Sequence, residues 1–163
     1  MQKITPFLWF NTECEEALNF YTSIFPDSKI ESIQRYPEGP LPEPMKGMEG
    51  KVLTAVFELF GQRFMALDGG PVFKPTGAVS FHVECQTQEE VDLYWSKLSA
   101  GGDPAAQQCG WLADRYGFSW QIIPVQLSEL LNDPDKERAD RVMQAMLGMK
   151  KIDIAGLEHA YKG

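Results

Sequence analysis

The chain has 163 residues, 44% of them apolar, and a formal net charge of −8. A length of this order supports one compact domain burying about 70% of its unfolded surface. Acidic residues are dispersed, Lys and Arg form no block, and no apolar run reaches transmembrane length, so neither nucleic acid nor a membrane is an expected partner.

The first residues, Met1 to Pro6, lack the apolar stretch of a secretory leader. Cys14, Cys85 and Cys109 are odd in number, far apart and in no CxxC pair. They are expected as free thiols in a cytoplasmic protein, not as zinc ligands.

Ile4 to Phe10 reads as a buried strand rich in aromatics, with Pro6 near its start. Thr12 and Glu15 have the spacing of a capping box. They open a helix that places Ala17, Phe20, Tyr21 and Ile24 on one face and stops at Pro26-Asp27-Ser28. Ser28 to Tyr36 alternates imperfectly and reads as a strand. Pro37 to Gly50 contains four prolines, which exclude helix and ladder pairing. A loop of that length is read as a lid, a subunit contact or a surface loop. Val52 to Phe60 and Arg63 to Leu67 form a hairpin, and a linker runs from Gly69 to Gly77.

The plan then repeats. Val79 to Cys85 is a strand, Thr87 with Glu90 a second capping box, and Val91 to Ala100 an amphipathic helix ended by Gly101-Gly102. Gln107 to Ala113 and Phe118 to Ile123 read as strands joined at Asp114-Arg115-Tyr116-Gly117. Beyond Pro124 the pattern turns helical: Leu127, Leu130 and Leu131, then a longer helix with Ala139, Val142, Met143, Ala145, Met146 and Leu147, then Asp153 to Tyr161.

The repetition is visible in the residues. Glu15-Glu16-Ala17-Leu18-Asn19-Phe20-Tyr21 answers to Glu89-Glu90-Val91-Asp92-Leu93-Tyr94-Trp95, and Gly61 to Leu67 answers to Gly117 to Ile123. The fold class expected is α+β, with paired βαβββ modules at 1–70 and 77–124 and a helical tail at 125–163 in a single domain. A cleft between such halves is a natural place for a ligand.

Four phrases carry a family resemblance: Ile4-Thr5-Pro6-Phe7-Leu8-Trp9-Phe10, Cys109 to Arg115, Phe118-Ser119-Trp120-Gln121-Ile122-Ile123-Pro124, and Val142 to Leu147. With the paired unit and the Phe20-Tyr21 helix, they resemble the vicinal oxygen chelate (glyoxalase/bleomycin-resistance) superfamily. The branch is PhnB-like, often labelled 3-demethylubiquinone-9 3-methyltransferase-like. The resemblance implies a glyoxalase-like fold and a homodimer. In metal-dependent members, the first and fourth strands of each half supply ligands to one divalent ion. Carried onto this chain, those positions fall within two residues of Pro6 and at Met65, His82 and Gln121. Two of the four offer no hard donor, so no metal and no other cofactor is expected. A nucleotide-type S-adenosylmethionine site needs a glycine-rich turn after the first strand. The chain has Asn11-Thr12-Glu13-Cys14 there, so methyl transfer is not expected either.

Strand alternation selects the candidate site residues. Ser80, His82 and Glu84 share one face of their strand; Ser119 and Gln121 share one face of theirs. Arg63 and Met65 occupy the equivalent face in the first half. Trp9 and Trp111 are candidate walls for a planar ligand. His82 is the candidate base because its ordinary pKa lies near neutrality; Gln121 and Arg63 are candidate orienting groups. Each also has a structural reading, as a strand histidine, a bridging amide and a surface arginine. Two functions stand: a metal-independent small-molecule binding protein, or an enzyme of lyase, isomerase or dioxygenase type, metal-dependent or metal-free, acting on a small oxygenated or aromatic substrate.

Overall fold

The computed structural model describes residues 3–163. Met1 and Gln2, part of the stretch read above for a leader, lie outside the described residues. The chain divides into two compact units, residues 1–75 and 76–163.

The first unit runs β1 (Phe7–Phe10), α1 (Cys14–Ile24), β2 (Lys29–Arg35), β3 (Val52–Leu59) and β4 (Gln62–Asp68). Its sheet has the order β1-β4-β3-β2, with β1 parallel to β4 and the other pairs antiparallel. Alternation along the strands buries Leu8, Phe10, Ala55, Phe57, Leu59, Phe64 and Ala66. The helix contributes Cys14, Ala17, Leu18 and Tyr21 to the buried set, whereas Phe20 and Ile24 are only half-buried. Phe57 and Phe64, partners across β3 and β4, stack with ring centroids 5.3 Å apart. The hairpin turns on Phe60 and Gly61, both at positive φ, as a two-residue turn matched to strand twist requires.

The capping box expected at Thr12 and Glu15 does not form. Glu13 is the N-cap residue and its side chain does not cap; the Cys14 amide donates instead to Asp68 Oδ1 at 2.9 Å. Glu15 is held away by Arg35, whose Nη2 donates to both carboxylate oxygens at 2.8 Å. Asp68 is buried and its other oxygen accepts the Val52 amide at 3.0 Å, so one carboxylate from β4 satisfies the start of both α1 and β3.

The proline loop is a series of turns. Met45 N donates to Pro42 O, Met48 N to Met45 O, and Lys51 N to Met48 O, while Tyr36 N closes the base on Lys51 O. The Glu49 carboxylate accepts the Leu41 amide, and backbone hydrogen bonds hold its pKa below the ordinary carboxylate value.

The second unit runs β5 (Ser80–Cys85), α2 (Gln88–Ser99), a 3-10 turn at Pro104–Ala106, β6 (Trp111–Ala113), β7 (Ser119–Pro124), α3 (Val125–Leu131), α4 (Lys136–Leu147) and α5 (Ile154–Lys162). Here the expected cap does form: Thr87 accepts the Glu90 amide, and Glu90 reaches back to the Gln86 amide at 2.6 Å. The sheet order is β5-β7-β6, with β5 parallel to β7. It repeats β1-β4-β3 without a counterpart of β2.

The strand expected over Gln107 to Ala113 is therefore corrected to three residues. Cys109 and Gly110, both at positive φ, make a tight turn that pairs Gln108 with Trp111. Cys109 thus lies in a turn and is half-buried, not in a strand. Gly110 is obligatory there: a Cβ would sit 2.6 Å from Ile123 Cδ1 and 3.0 Å from Ile122 O.

Ile123, Leu127, Val142, Ile152 and Leu157 form a buried cluster joining the C-terminal helices to β7. Gln88 ties the same region to α2 by donating to Ile152 O and accepting from the Ile154 amide. The two units make an α+β protein built on the glyoxalase-like βαβββ plan, with helices at its C-terminus. Among the described residues no helix is long and apolar enough to cross a membrane.

Candidate functional site

On β5, Val83 and Cys85 are buried while His82 and Glu84 are exposed. On β7, Trp120 and Ile122 are buried while Ser119 and Gln121 are half-buried. On β6, Leu112 is buried and Trp111 is 37% exposed. The register sets the polar residues side by side. Ser80 pairs with Ser119 and His82 with Gln121, and Gln121 pairs on its other side with Trp111. His82, Gln121 and Trp111 therefore form one row across three strands. Ser80, Ser119 and Ala113 form the row beside it.

The Gln121 amide is fixed within this face. Its Nε2 donates to Ser80 Oγ at 2.8 Å. The side chains of His82 and Trp111 make no hydrogen bond, ion pair or ring contact with another described residue. Glu84 is one row further on, opposite Ile123, and accepts from Gln86 Nε2 at 3.5 Å. Of the candidates drawn from the sequence, Ser80, His82, Glu84, Trp111, Ser119 and Gln121 are thus gathered on one sheet face of the second unit.

Asp114 holds that face in register, and its part is not legible in the sequence beyond a turn. Its carboxylate is 2% exposed. Oδ1 accepts the Tyr116 and Phe118 amides at 2.9 and 3.0 Å, and Oδ2 accepts Trp120 Nε1 at 2.8 Å. The β6–β7 turn and the buried side of β7 are pinned together, which places Trp111 opposite Gln121.

Arg63 and Trp9 belong to the first unit. They share a face of its sheet, because Trp9 pairs with Leu67 and Arg63 alternates with Met65 and Leu67. Four residues of β4 separate their positions, about 13 Å of strand. Arg63 is exposed, with Nε 3.9 Å from Glu31 Oε2. Trp9 Nε1 donates to Gly70 O at 2.9 Å, and its ring meets Phe73 edge-on at 4.9 Å. Gly69 allows this, since a Cβ there would be 2.2 Å from the indole. Arg63 and Trp9 do not meet.

The metal positions can be tested on the ladder. Met65 pairs with Phe7, as Gln121 pairs with His82, so the first position, expected within two residues of Pro6, falls at Phe7. Pro6 contributes only its carbonyl, which accepts the Met65 amide. The first unit therefore offers a phenyl ring and a thioether, the second an imidazole and a neutral amide. These residues do not fit a hard divalent ion. Among the described residues no three His, Cys, Asp or Glu side chains are grouped so as to hold one.

A concavity of 460 Å³ lies elsewhere, in the first unit beside α1, lined by Glu13, Glu15, Glu16, Arg35, Glu49 and Asp68 among others. Three of its carboxylates are engaged within the unit: Asp68 by two amides, Glu15 by Arg35, Glu49 by Leu41. The thiols are all free. Burial pushes up the pKa of Cys14 and Cys85, in the latter to about 12, so neither is a ready nucleophile. His159, on α5, is exposed and remote in sequence from the face described above.

Two βαβ-containing units with parallel outer-to-inner pairing and an open polar face define a glyoxalase-like protein. The chain belongs to the family described as 3-demethylubiquinone-9 3-methyltransferase, whose model matches residues 2–123. Helices α3 to α5 lie beyond the matched residues. A PhnB protein from Bacillus cereus is 44% identical, with a TM-score of 0.65 over 76% of this chain and 100% of that one. A protein from Pseudomonas aeruginosa is 22% identical, with a TM-score of 0.58 over 74% of this chain and 95% of that one, a likeness of fold alone. No curated protein matches the chain.

Proposed function

We propose that the chain binds a small molecule on the open face of its second unit, without a tightly bound metal or other cofactor, and performs no methyl transfer. The observation that carries this is the row His82–Gln121–Trp111, whose outer side chains are exposed and have no partner among the described residues. Polar groups converging beside an aromatic surface are what a small-molecule site needs. Ser80, Ser119 and Glu84 complete its lining. Arg63 and Trp9 are read as ligand contacts of the first unit's own face.

A catalytic reading uses the same residues, with His82 as base and Gln121 orienting the substrate; the unengaged imidazole favours it. We further propose a cytoplasmic homodimer of single-domain chains. Three free thiols support the first point, and two sheets that each end in edge strands support the second.

The test is a fragment screen followed by amide and side-chain nuclear magnetic resonance shifts. Saturable shifts clustered at Ser80, His82, Trp111, Ser119 and Gln121 are expected. Binding confined to other surfaces would refute the assignment. Substrate turnover abolished in His82→Ala would select the catalytic reading.

A further inference from the structure

The row of three residues restricts what the face can hold. Neighbouring strands lie about 4.8 Å apart, so His82 and Trp111, separated by β7, stand about 10 Å apart at the backbone. A ring packed between two others occupies about 7 Å, two contacts of about 3.5 Å. The gap admits one planar ring standing on edge, with Gln121 as its floor. One Nε2 hydrogen of Gln121 is used by Ser80, which leaves Oε1 and the second N–H of that amide for a ligand.

Charge restricts it further. None of the residues of β5, β6 or β7 is Lys or Arg, and among the described residues of these three strands the one carboxylate is that of Glu84. An anionic ligand would lose solvation there with no countercharge in the sheet. A cation beside an indole and a carboxylate is favoured.

We infer that the face takes a planar ring inserted between His82 and Trp111, uncharged or cationic, whose inner edge hydrogen-bonds to the Gln121 side-chain amide. This rests on the binding reading above and narrows it to a ligand class.

Three isosteric probes test it: 2-naphthamide, 2-naphthamidine and 2-naphthoate, titrated into the full ¹⁵N-labelled chain. The neutral and cationic probes should shift the Trp111 indole N–H and the Gln121 side-chain amide saturably. The anionic probe should bind at least about tenfold more weakly. Trp111→Ala and His82→Ala should each weaken 2-naphthamide about tenfold, and Trp111→Phe should restore most of it. Dispersed spectra of both alanine variants show that the fold is retained. If 2-naphthoate binds as tightly, or if neither alanine variant weakens binding while Ser80 and Gln121 still shift, the ring-clamp inference is overturned and binding to the face stands. If no signal of the second unit's face moves with any probe, both readings fall.

Discussion

Gln121 donates a 2.8 Å hydrogen bond to Ser80 across the parallel pair β5–β7. The bond lies on the half-buried polar side of the sheet, so it orders the amide more than it stabilises the fold. Gln121→Ala should lower unfolding stability by about 1 kcal/mol or less. It should also abolish saturable binding of 2-naphthamide. A urea melt with a parallel titration checks both; a strongly destabilised variant would make Gln121 a structural bridge instead.

Asp114 carries more of the fold. Its carboxylate accepts two turn amides and the Trp120 indole from a nearly buried position. Asp114→Ala removes the carboxylate that accepts from these three donors and is expected to cost about 3 kcal/mol. Loss of the Trp111 environment should accompany it, read as a shift in that indole signal. A change below about 1 kcal/mol would contradict the role given to this residue.

Gly110 tests the correction to the β6 region. Its φ of 84° and the 2.6 Å approach of Ile123 Cδ1 to a Cβ leave no room for alanine. Gly110→Ala is expected to destabilise by about 2 kcal/mol or more, whereas Gly61→Ala, with no atom near its Cβ, should cost only the positive-φ strain of about 1 kcal/mol. Equal melts for the two would argue for an ordinary strand through Cys109.

Alkaline pH should weaken the fold through Cys85. Desolvation by burial, then Glu90 and Glu84, push its pKa up to about 12. Below the unfolded thiol value of about 8.5 both states are protonated and nothing is lost. As pH rises above that value the unfolded chain releases the proton while the folded chain keeps it, so stability falls until the folded value is reached. Between about pH 8 and about pH 10.5 the loss from this group is about 2 kcal/mol. Chemical denaturation at the two pH values should show a smaller loss in Cys85→Ala; an identical loss would remove the thiol as its source.

The sequence discloses what depends on neighbours along the chain. Alternation separated Ser80, His82 and Glu84 from Val83 and Cys85, and Thr87 announced the cap of α2 because its partner is three residues away. Thr12 carried the same local signal and failed, because Asp68, fifty-four positions distant, takes the Cys14 amide. The short β6 was hidden for a related reason. Cys109 has no special claim to a left-handed turn, and what forces one there is the packing of Gly110 against Ile123. The row His82–Gln121–Trp111 depends on pairing between strands far apart in sequence. Residue types select its members, but only the ladder registers set them abreast.

The central claim is that this face binds its ligand without a metal. Elemental analysis of the purified, dialysed protein tests it most directly, with wild type and His82→Ala side by side. Divalent metal far below one equivalent is expected in both, with 2-naphthamide binding unchanged by a chelator. About one equivalent of a divalent ion in the wild type, lost in His82→Ala, would contradict it.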